Sequence, residues 1–132
     1  IVTSNNNDQD ANYKFSICTP CYNSSDSIEA VFTSLTNLKY QNFEWIVVND
    51  ASSDNTSDLI HEMFRDAKFS ITFCDLEQNK MATFCYHLAI LKAKGEFLIF
   101  LDHDDQIKSN ALDRFLYHWD TLPSINKITL QE

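Results

Sequence analysis

The sequence predicts an α/β domain with a mainly parallel β-sheet and helices on both faces of that sheet. Segments typical of buried strands alternate with segments of helical spacing along the 132 residues. Polar clusters follow three of the predicted strands, and in a parallel sheet such positions meet at one edge, where ligands bind. Hydrophobic residues make up 44% of the chain, which is enough for a folded core.

The predicted strands are short apolar runs bounded by polar residues. They comprise residues 14–18, 43–48, 69–74 and 96–101, and a fifth strand is predicted to begin at 128–130. The run Phe-Glu-Trp-Ile-Val-Val is bulky enough for a central strand that is buried on both faces. Residues 1–12 are polar and aperiodic, so we expect a flexible leader ahead of one domain at 13–132.

The predicted helices carry apolar residues three or four positions apart. They comprise residues 27–38, 55–65, 79–94 and 110–119. Asp26 and Glu29 resemble a capping box at the start of the first helix, and Ser53 or Asp54 would cap the second. Gly95 is predicted to end the third helix as its C-cap.

The charge and the cysteines limit the classes of function. A net charge of −9 argues against nucleic acid as a partner, and no run approaches the ~20 apolar residues of a membrane span. Cys18 and Cys21 have the spacing of a thioredoxin-type pair, but Pro123 is the only other Pro, so a strand end followed by a loop is favoured. Cys74 and Cys85 lack zinc-ligand spacing. Free thiols suit a reducing cytoplasm, where we expect the protein.

An acidic cluster follows the fourth predicted strand. Asp102, Asp104 and Asp105 leave the end of an apolar run within four positions, and crowded carboxylates repel one another. A hard divalent cation that holds a diphosphate is the simplest chemical reason for such a cluster, and a solvated acidic loop is the alternative. Polar residues at 20–23 and 49–54 follow the first two strands and should converge with the cluster on one sheet edge.

Three segments together resemble the inverting family 2 glycosyltransferases, which have a three-layer, Rossmann-like GT-A fold. They are Phe-Ser-Ile-Cys-Thr-Pro-Cys-Tyr-Asn at 15–23, Asn-Phe-Glu-Trp-Ile-Val-Val-Asn-Asp-Ala-Ser-Ser-Asp-Asn-Thr at 42–56, and Ala-Lys-Gly-Glu-Phe-Leu-Ile-Phe-Leu-Asp-His-Asp-Asp at 93–105. Their order and spacing match the nucleotide-sugar half of such enzymes. The resemblance therefore implies transfer of a sugar, typically from a UDP-sugar, to an acceptor hydroxyl.

The resemblance also implies roles for individual residues. The nucleotide-binding positions would be Pro20, Tyr22, Asn23, Asp50, Asn79 and Asp102. Pro20 and Tyr22 would flank the nucleobase, and Asp50 would accept a hydrogen bond from it. Asp102 and Asp104 would be the D-x-D pair that binds Mg²⁺ or Mn²⁺, with Asp104 the more direct ligand and Asp102 also able to reach the ribose.

The resemblance implies further parts that this sequence does not show. The general base of the family lies well downstream of the D-x-D pair, so we expect it beyond Glu132. We also expect a truncated chain that lacks the acceptor-binding half, with any membrane association contributed by the missing parts. The acceptor, whether a glycan, a lipid-linked glycan or a protein, is left open.

The sequence departs from the family along the third predicted helix. Asn79-Lys80-Met81 stands where Asn-x-Gly is usual, and Cys85-Tyr86-His87-Leu88-Ala89 stands where Ala-Arg-Asn-x-Gly is usual. These changes leave open a non-catalytic, transferase-like domain that only binds a nucleotide. A phosphoryl-transfer enzyme of the haloacid dehalogenase type and a response-regulator receiver are less favoured, because each needs its acidic motif after the first strand.

Overall fold

The structure is a computed structural model, and it describes residues 1–6 and 10–123. The described chain forms a five-stranded sheet in the order β1-β4-β3-β2-β5. In chain order the elements are β1 (Val2–Ser4), β2 (Tyr13–Cys21), α1 (Ile28–Thr36), β3 (Phe43–Asn49), α2 (Thr56–Asp66), β4 (Ser70–Asp75), α3 (Met81–Lys92), β5 (Gly95–Phe100) and α4 (Ala111–Thr121). The fifth strand predicted at 128–130 lies outside the described residues.

Helices cover both faces of the sheet, which confirms the predicted α/β class. On one face, α1, α2 and α4 bury apolar side chains in a large core around the fully buried Trp45. On the other face, α3 contributes Cys85 and Ala89 to a smaller core against β2 and β3. The burial of apolar surface on both sides explains why β3 is buried at every position.

The parallel register brings the strand ends together. β2 pairs parallel with both β3 and β5, and β3 pairs parallel with β4. Cys21 lies opposite Asn49, and Cys18 lies opposite Phe100. The amide of Asp50 continues this pairing by donating to the Cys21 carbonyl at 2.9 Å. The loops after β2, β3 and β5 therefore leave the sheet side by side.

The N-terminal residues require a correction. Residues 1–12 were expected to form a flexible leader, but Val2–Ser4 pairs antiparallel with β4 at the sheet edge. The Ile1 amino group donates to the Asp75 carbonyl at 3.0 Å, and Asn5 Nδ2 donates to the Phe69 carbonyl at the same distance. The backbone groups of an edge strand bond a polar segment as readily as an apolar one, so hydrophobic periodicity gave no signal.

Gly95 requires a second correction, because it begins β5 instead of ending α3. The helix ends at Lys92, and the Ala93 amide still donates to the Ile90 carbonyl at 3.2 Å. The two amides after it donate to side chains of the sheet. The Lys94 amide donates to Glu44 Oε2 at 2.6 Å, and the Gly95 amide donates to Ser16 Oγ at 2.7 Å. A Cβ on Gly95 would lie 2.5 Å from the Ser16 nitrogen. Glycine is thus required for close strand approach, not for a left-handed turn.

The helix starts differ in detail from the capping prediction. The N-cap of α1 is Ser27, which makes no side-chain capping bond, so the capping box expected from Asp26 is wrong. At α2, Asp54 does accept a hydrogen bond from the Thr56 amide, at 3.0 Å. Hydrogen bonds from Thr56 and Ser25 lower the pKa of Asp54 to about 2.

The cysteines are free and buried, and they do not form a redox pair. Cys18 and Cys21 both lie within β2, and their side chains enter the cores on opposite faces of the sheet. Burial raises the pKa of Cys18 to about 12, and it also raises the pKa of Cys21. Neutral, buried thiols on opposite faces are unsuited to thioredoxin-type exchange.

Candidate functional site

A cleft of about 740 Å³ opens at the carboxyl ends of β2, β3 and β5. It is lined by Pro20, Cys21, Tyr22, Asp50, Asn79, Met81, Ala82, Cys85, Tyr86, Asp102, His103 and Asp104. This position at the ends of parallel strands is the one that α/β sheets use for ligands. All but one of the nucleotide-binding and metal-binding residues predicted from the sequence line the cleft, the exception being Asn23.

The acidic cluster forms a tight turn directly after β5. The Asp105 amide donates to the Asp102 carbonyl at 3.2 Å, which folds the segment back on itself. As a result, carboxylate oxygens of Asp102, Asp104 and Asp105 all lie within 4.8 Å of one another, at the exposed surface. Hard oxygen donors at this separation fit a Mg²⁺ or Mn²⁺ ion, which leaves part of its coordination sphere to water and phosphate.

Tyr86 fixes one of these carboxylates from α3. Its hydroxyl donates to Asp102 Oδ1 at 2.7 Å, and its ring packs edge-on against Phe100 with ring centroids 5.1 Å apart. Burial, and then the hydrogen bond to Asp102, raise the pKa of Tyr86 to about 12. The phenol is therefore neutral at physiological pH and is a stable hydrogen-bond donor to the carboxylate.

Asp50 anchors the start of α3 from across the cleft. It is 5% exposed, and its two carboxylate oxygens accept the amides of Lys80 and Met81 at 2.7 Å and 3.0 Å. These amides belong to the first turn of a helix, where they lack partners within the helix. Each carboxylate oxygen has a second lone pair, so Asp50 retains capacity to accept a bond from a ligand.

The wall formed by the loop after β2 is braced by Asn23. Asn23 Oδ1 accepts hydrogen bonds from the backbone amides of Ser53 at 2.8 Å and Asp54 at 3.3 Å. The backbone amide of Asn23 donates to Ser52 Oγ at 2.9 Å. Asn23 adopts a φ of 49°, a left-handed conformation that Asn tolerates. Its side chain is directed to the loop after β3, while the neighbouring Tyr22 is 48% exposed in the cleft.

The first residue of α3 adopts an unusual backbone conformation. Met81 has a φ of 74°, which L-residues rarely adopt, and its side chain is 70% exposed along the cleft. Asn79, two positions earlier, donates from Nδ2 to the Asp50 carbonyl at 3.2 Å. The hydrogen bonds to Asp50 thus hold this turn in a conformation that glycine would adopt without strain.

Sequence reasoning missed several residues of the cleft. Met81, Ala82, Cys85 and Tyr86 were not named as site residues, although their spacing on a predicted helix places them on one face. This periodicity was the available signal, since the helix begins beside the strand ends. His103, which lies between the two carboxylates of the D-x-D pair, also lines the cleft, with Nδ1 3.4 Å from Ser27 Oγ.

The cleft is electrostatically one-sided. Its lining includes the carboxylates of Asp50, Asp102 and Asp104, and the described lining residues include no Lys or Arg. A nucleoside diphosphate would meet like charge on this surface unless a cation lay between them.

Among the helices of the part of the chain that the structure describes, none has the length and hydrophobicity of a membrane span.

Comparisons with known proteins find relatives of this chain. The model of glycosyl transferase family 2 matches residues 16–127. The poly-beta-1,6-N-acetyl-D-glucosamine synthase of Staphylococcus aureus strain MSSA476 is 31% identical over 109 residues, which are 83% of this chain and 26% of that protein. A second relative is the "Putative teichuronic acid biosynthesis glycosyltransferase TuaG" of Bacillus subtilis strain 168. It is 32% identical over 102 residues, which are 76% of this chain and 40% of that protein.

A solved structure shows the same fold. The crystal structure of S. aureus TarS 1–349 in complex with UDP-GlcNAc superimposes with a TM-score of 0.75 at 31% sequence identity. The match covers 81% of this chain and 31% of the TarS chain. The matched segments therefore cover less than half of the length of each of these proteins.

Proposed function

The chain belongs to glycosyl transferase family 2, and we propose that its domain binds the nucleotide-sugar donor of a metal-dependent, inverting sugar transfer. The observation that carries the proposal is the convergence of Tyr22, Asp50 and the carboxylate cluster on one cleft. A nucleobase needs an aromatic face and a hydrogen-bond acceptor, which Tyr22 and Asp50 offer, and a metal-bound diphosphate needs the carboxylate cluster. We propose that this domain, expected from the sequence at 13–132, also includes β1, because Val2–Ser4 pairs with β4.

The donor we propose is a UDP-sugar, with UDP-N-acetylglucosamine as the first candidate. One relative is named as a synthase of a polymer of N-acetylglucosamine, and a structural neighbour was solved with UDP-GlcNAc. Asp50 supports a uracil base because its carboxylate only accepts hydrogen bonds, and the uracil ring carries an N–H donor. Tyr22 offers an exposed aromatic face on which the base can stack.

In this proposal, each part of the nucleotide contacts a different group of cleft residues. Among the lining residues, Pro20 and Tyr22 would flank the base, Asp50 and Asn79 would contact its polar edge, and Asp102 would reach the ribose. Asp104, with Asp102 and Asp105 beside it, would hold Mg²⁺ or Mn²⁺. When bound, the cation neutralises charge on the diphosphate leaving group. Asn23 supports the base-binding wall through the loop after β3.

The decisive test is calorimetric titration with UDP in the presence and absence of Mn²⁺. We expect wild-type protein to bind UDP only with the metal, and to bind it more tightly than ADP. Asp104→Asn should weaken Mn²⁺-dependent UDP binding by at least about 10-fold, because it removes one charged ligand while the exposed turn retains its shape. Asp120→Asn, which neutralises an exposed carboxylate at the end of α4, is the matched control.

The titrations test the metal site and the donor-binding function separately. If Asp104→Asn binds UDP with Mn²⁺ as well as the wild type does, the assignment of the metal site is wrong. If the wild type binds neither UDP nor ADP in any condition, the donor-binding function itself is wrong.

One observation favours a second candidate, a non-catalytic transferase-like domain. Met81 occupies a glycine-like conformation and extends an exposed side chain along the cleft, where it takes up space beside Asn79. In that case UDP would bind, but a longer chain that includes the acceptor-binding part would neither transfer nor hydrolyse the sugar of UDP-N-acetylglucosamine.

A further inference from the structure

Tyr86 makes two contacts that fix its position beside Asp102. The side chains of Tyr86 and Asp102 together form one corner of the cleft. The hydroxyl donates to Asp102 Oδ1 at 2.7 Å, and the ring lies at 71° to the Phe100 ring. Phe100 is the last residue of β5, and Tyr86 is half-buried in the middle of α3. The carboxylate that follows the strand is thus held from the neighbouring helix before any ligand binds.

The hydrogen-bonding capacity of this pair selects the chemistry of its ligand. A phenol has one O–H donor, and Tyr86 donates it to Asp102. Only acceptor lone pairs therefore remain on the Tyr86 oxygen. An ionised carboxylate is acceptor-only and offers about four lone-pair sites, of which Tyr86 uses one. The corner therefore presents acceptors alone, and the complementary ligand groups are hydroxyl donors.

The negative charge of the cleft disfavours the diphosphate of a nucleotide at this corner. Phosphate oxygens are acceptors and carry negative charge, and no Lys or Arg stands among the described lining residues. The diphosphate is consequently better placed at the metal, on the side of Asp104 and Asp105. In UDP, which lacks the transferred sugar, the vicinal hydroxyls of the ribose are the groups that suit two adjacent acceptors.

We infer that Tyr86 is a positioning residue that orients Asp102 and, together with it, receives the ribose hydroxyls of the nucleotide. The inference rests on the proposed nucleotide-binding function. It assigns to α3 a part in telling a ribonucleotide from a deoxyribonucleotide, through an interaction made by the side chain of Tyr86 and not by the metal.

The experiment compares UDP with 2′-deoxy-UDP, each titrated with Mn²⁺ into wild type, Tyr86→Phe, Asp102→Asn and the double variant. Tyr86→Phe keeps the ring that packs on Phe100, so the fold should be preserved. Loss of the hydroxyl should weaken UDP binding by about 3- to 10-fold and should reduce the preference for UDP over 2′-deoxy-UDP. The two substitutions should be non-additive, because both act on the same pair.

The controls separate positioning from general damage. Tyr117→Phe, which alters a 67% exposed tyrosine of α4, should leave both affinities unchanged. Equal weakening of UDP and 2′-deoxy-UDP by Tyr86→Phe, or no weakening of either, would overturn the role of Tyr86 while leaving the donor site intact. Absence of UDP binding in the wild type would overturn the proposed function and this inference together.

Discussion

At the scale of single residues, the cleft depends on side chains that bond across the chain. Asp50 stands at the end of β3, yet its two oxygens hold the first turn of α3, some thirty positions later. Such a long-range cap leaves no trace in the local sequence, since the neighbours of Asp50 predict only a turn. The sequence placed Asp50 at the correct strand end, but its structural partner became visible only in three dimensions.

Met81 gives the prediction that belongs to this scale. Replacing Met81 by Gly should raise the free energy of unfolding by up to about 1 kcal/mol, because a left-handed L-residue costs about 1–2 kcal/mol and glycine loses part of that gain as chain entropy. Urea unfolding followed by circular dichroism measures the change. Ala82→Gly, one position further into α3, should instead lower the stability by about 1 kcal/mol.

A loss of more than about 1 kcal/mol in Met81→Gly would contradict this account. It would mean that the Met81 side chain contributes packing that outweighs the backbone strain. The same variant also widens the cleft, so its affinity for UDP with Mn²⁺ reports whether the side chain obstructs the nucleotide.

At the scale of elements, the strands were predicted well and the edges poorly. β3 is a continuous apolar run in the sequence and is buried throughout, so periodicity and burial agree. β1 is three exposed residues whose pairing depends on the backbone of β4, which composition does not encode. The end of α3 was misplaced because Glu44 and Ser16 accept the amides of Lys94 and Gly95, and a glycine after a helix resembles a C-cap.

The junction of β2 and β5 supplies the prediction for this scale. Gly95→Ala should destabilise the domain by about 2 kcal/mol or more, because its Cβ would meet backbone atoms of Ser16 and Phe15 at 2.5 Å and 2.6 Å. Glu96→Ala on the same strand removes only the exposed ion pair with Lys14 and should cost about 0–1 kcal/mol.

Chemical denaturation of the two variants under one condition makes the comparison. Equal stability of Gly95→Ala and wild type would show that β5 can separate from β2 without cost. The acidic turn after β5 provides a second readout, since a displaced β5 would also weaken Mn²⁺ binding.

At the scale of the whole molecule, four buried thiols lie in the two cores on either side of the sheet. Burial raises the pKa of each above the ordinary value of 9.0, to about 12 for Cys18 and Cys85. Above pH 9 the unfolded chain releases these protons while the folded chain retains them. The folded state then binds more protons, so its stability falls as the pH rises.

The free energy of unfolding should therefore decrease between pH 9 and pH 10, by about 1 kcal/mol or more. Urea titrations at pH 8, 9 and 10 test this, and Cys18→Ala should show a shallower decline because one buried thiol is gone. A stability that stays constant or rises over this interval would contradict the burial of the thiols. Reductant should leave the midpoint at pH 8 unchanged, since the cysteines are free.

The cross-bonded loops around Asn23 have a kinetic and entropic consequence. Hydrogen bonds from Ser53 and Asp54 to Asn23, and from the Ser24 amide to Thr56 Oγ1 at 2.8 Å, join the loops after β2 and β3 in the ligand-free protein. The conformational entropy of this wall is lost when the chain folds, so a nucleotide does not have to order it on arrival. Association should thus proceed as a single fast step, limited by encounter and not by loop closure.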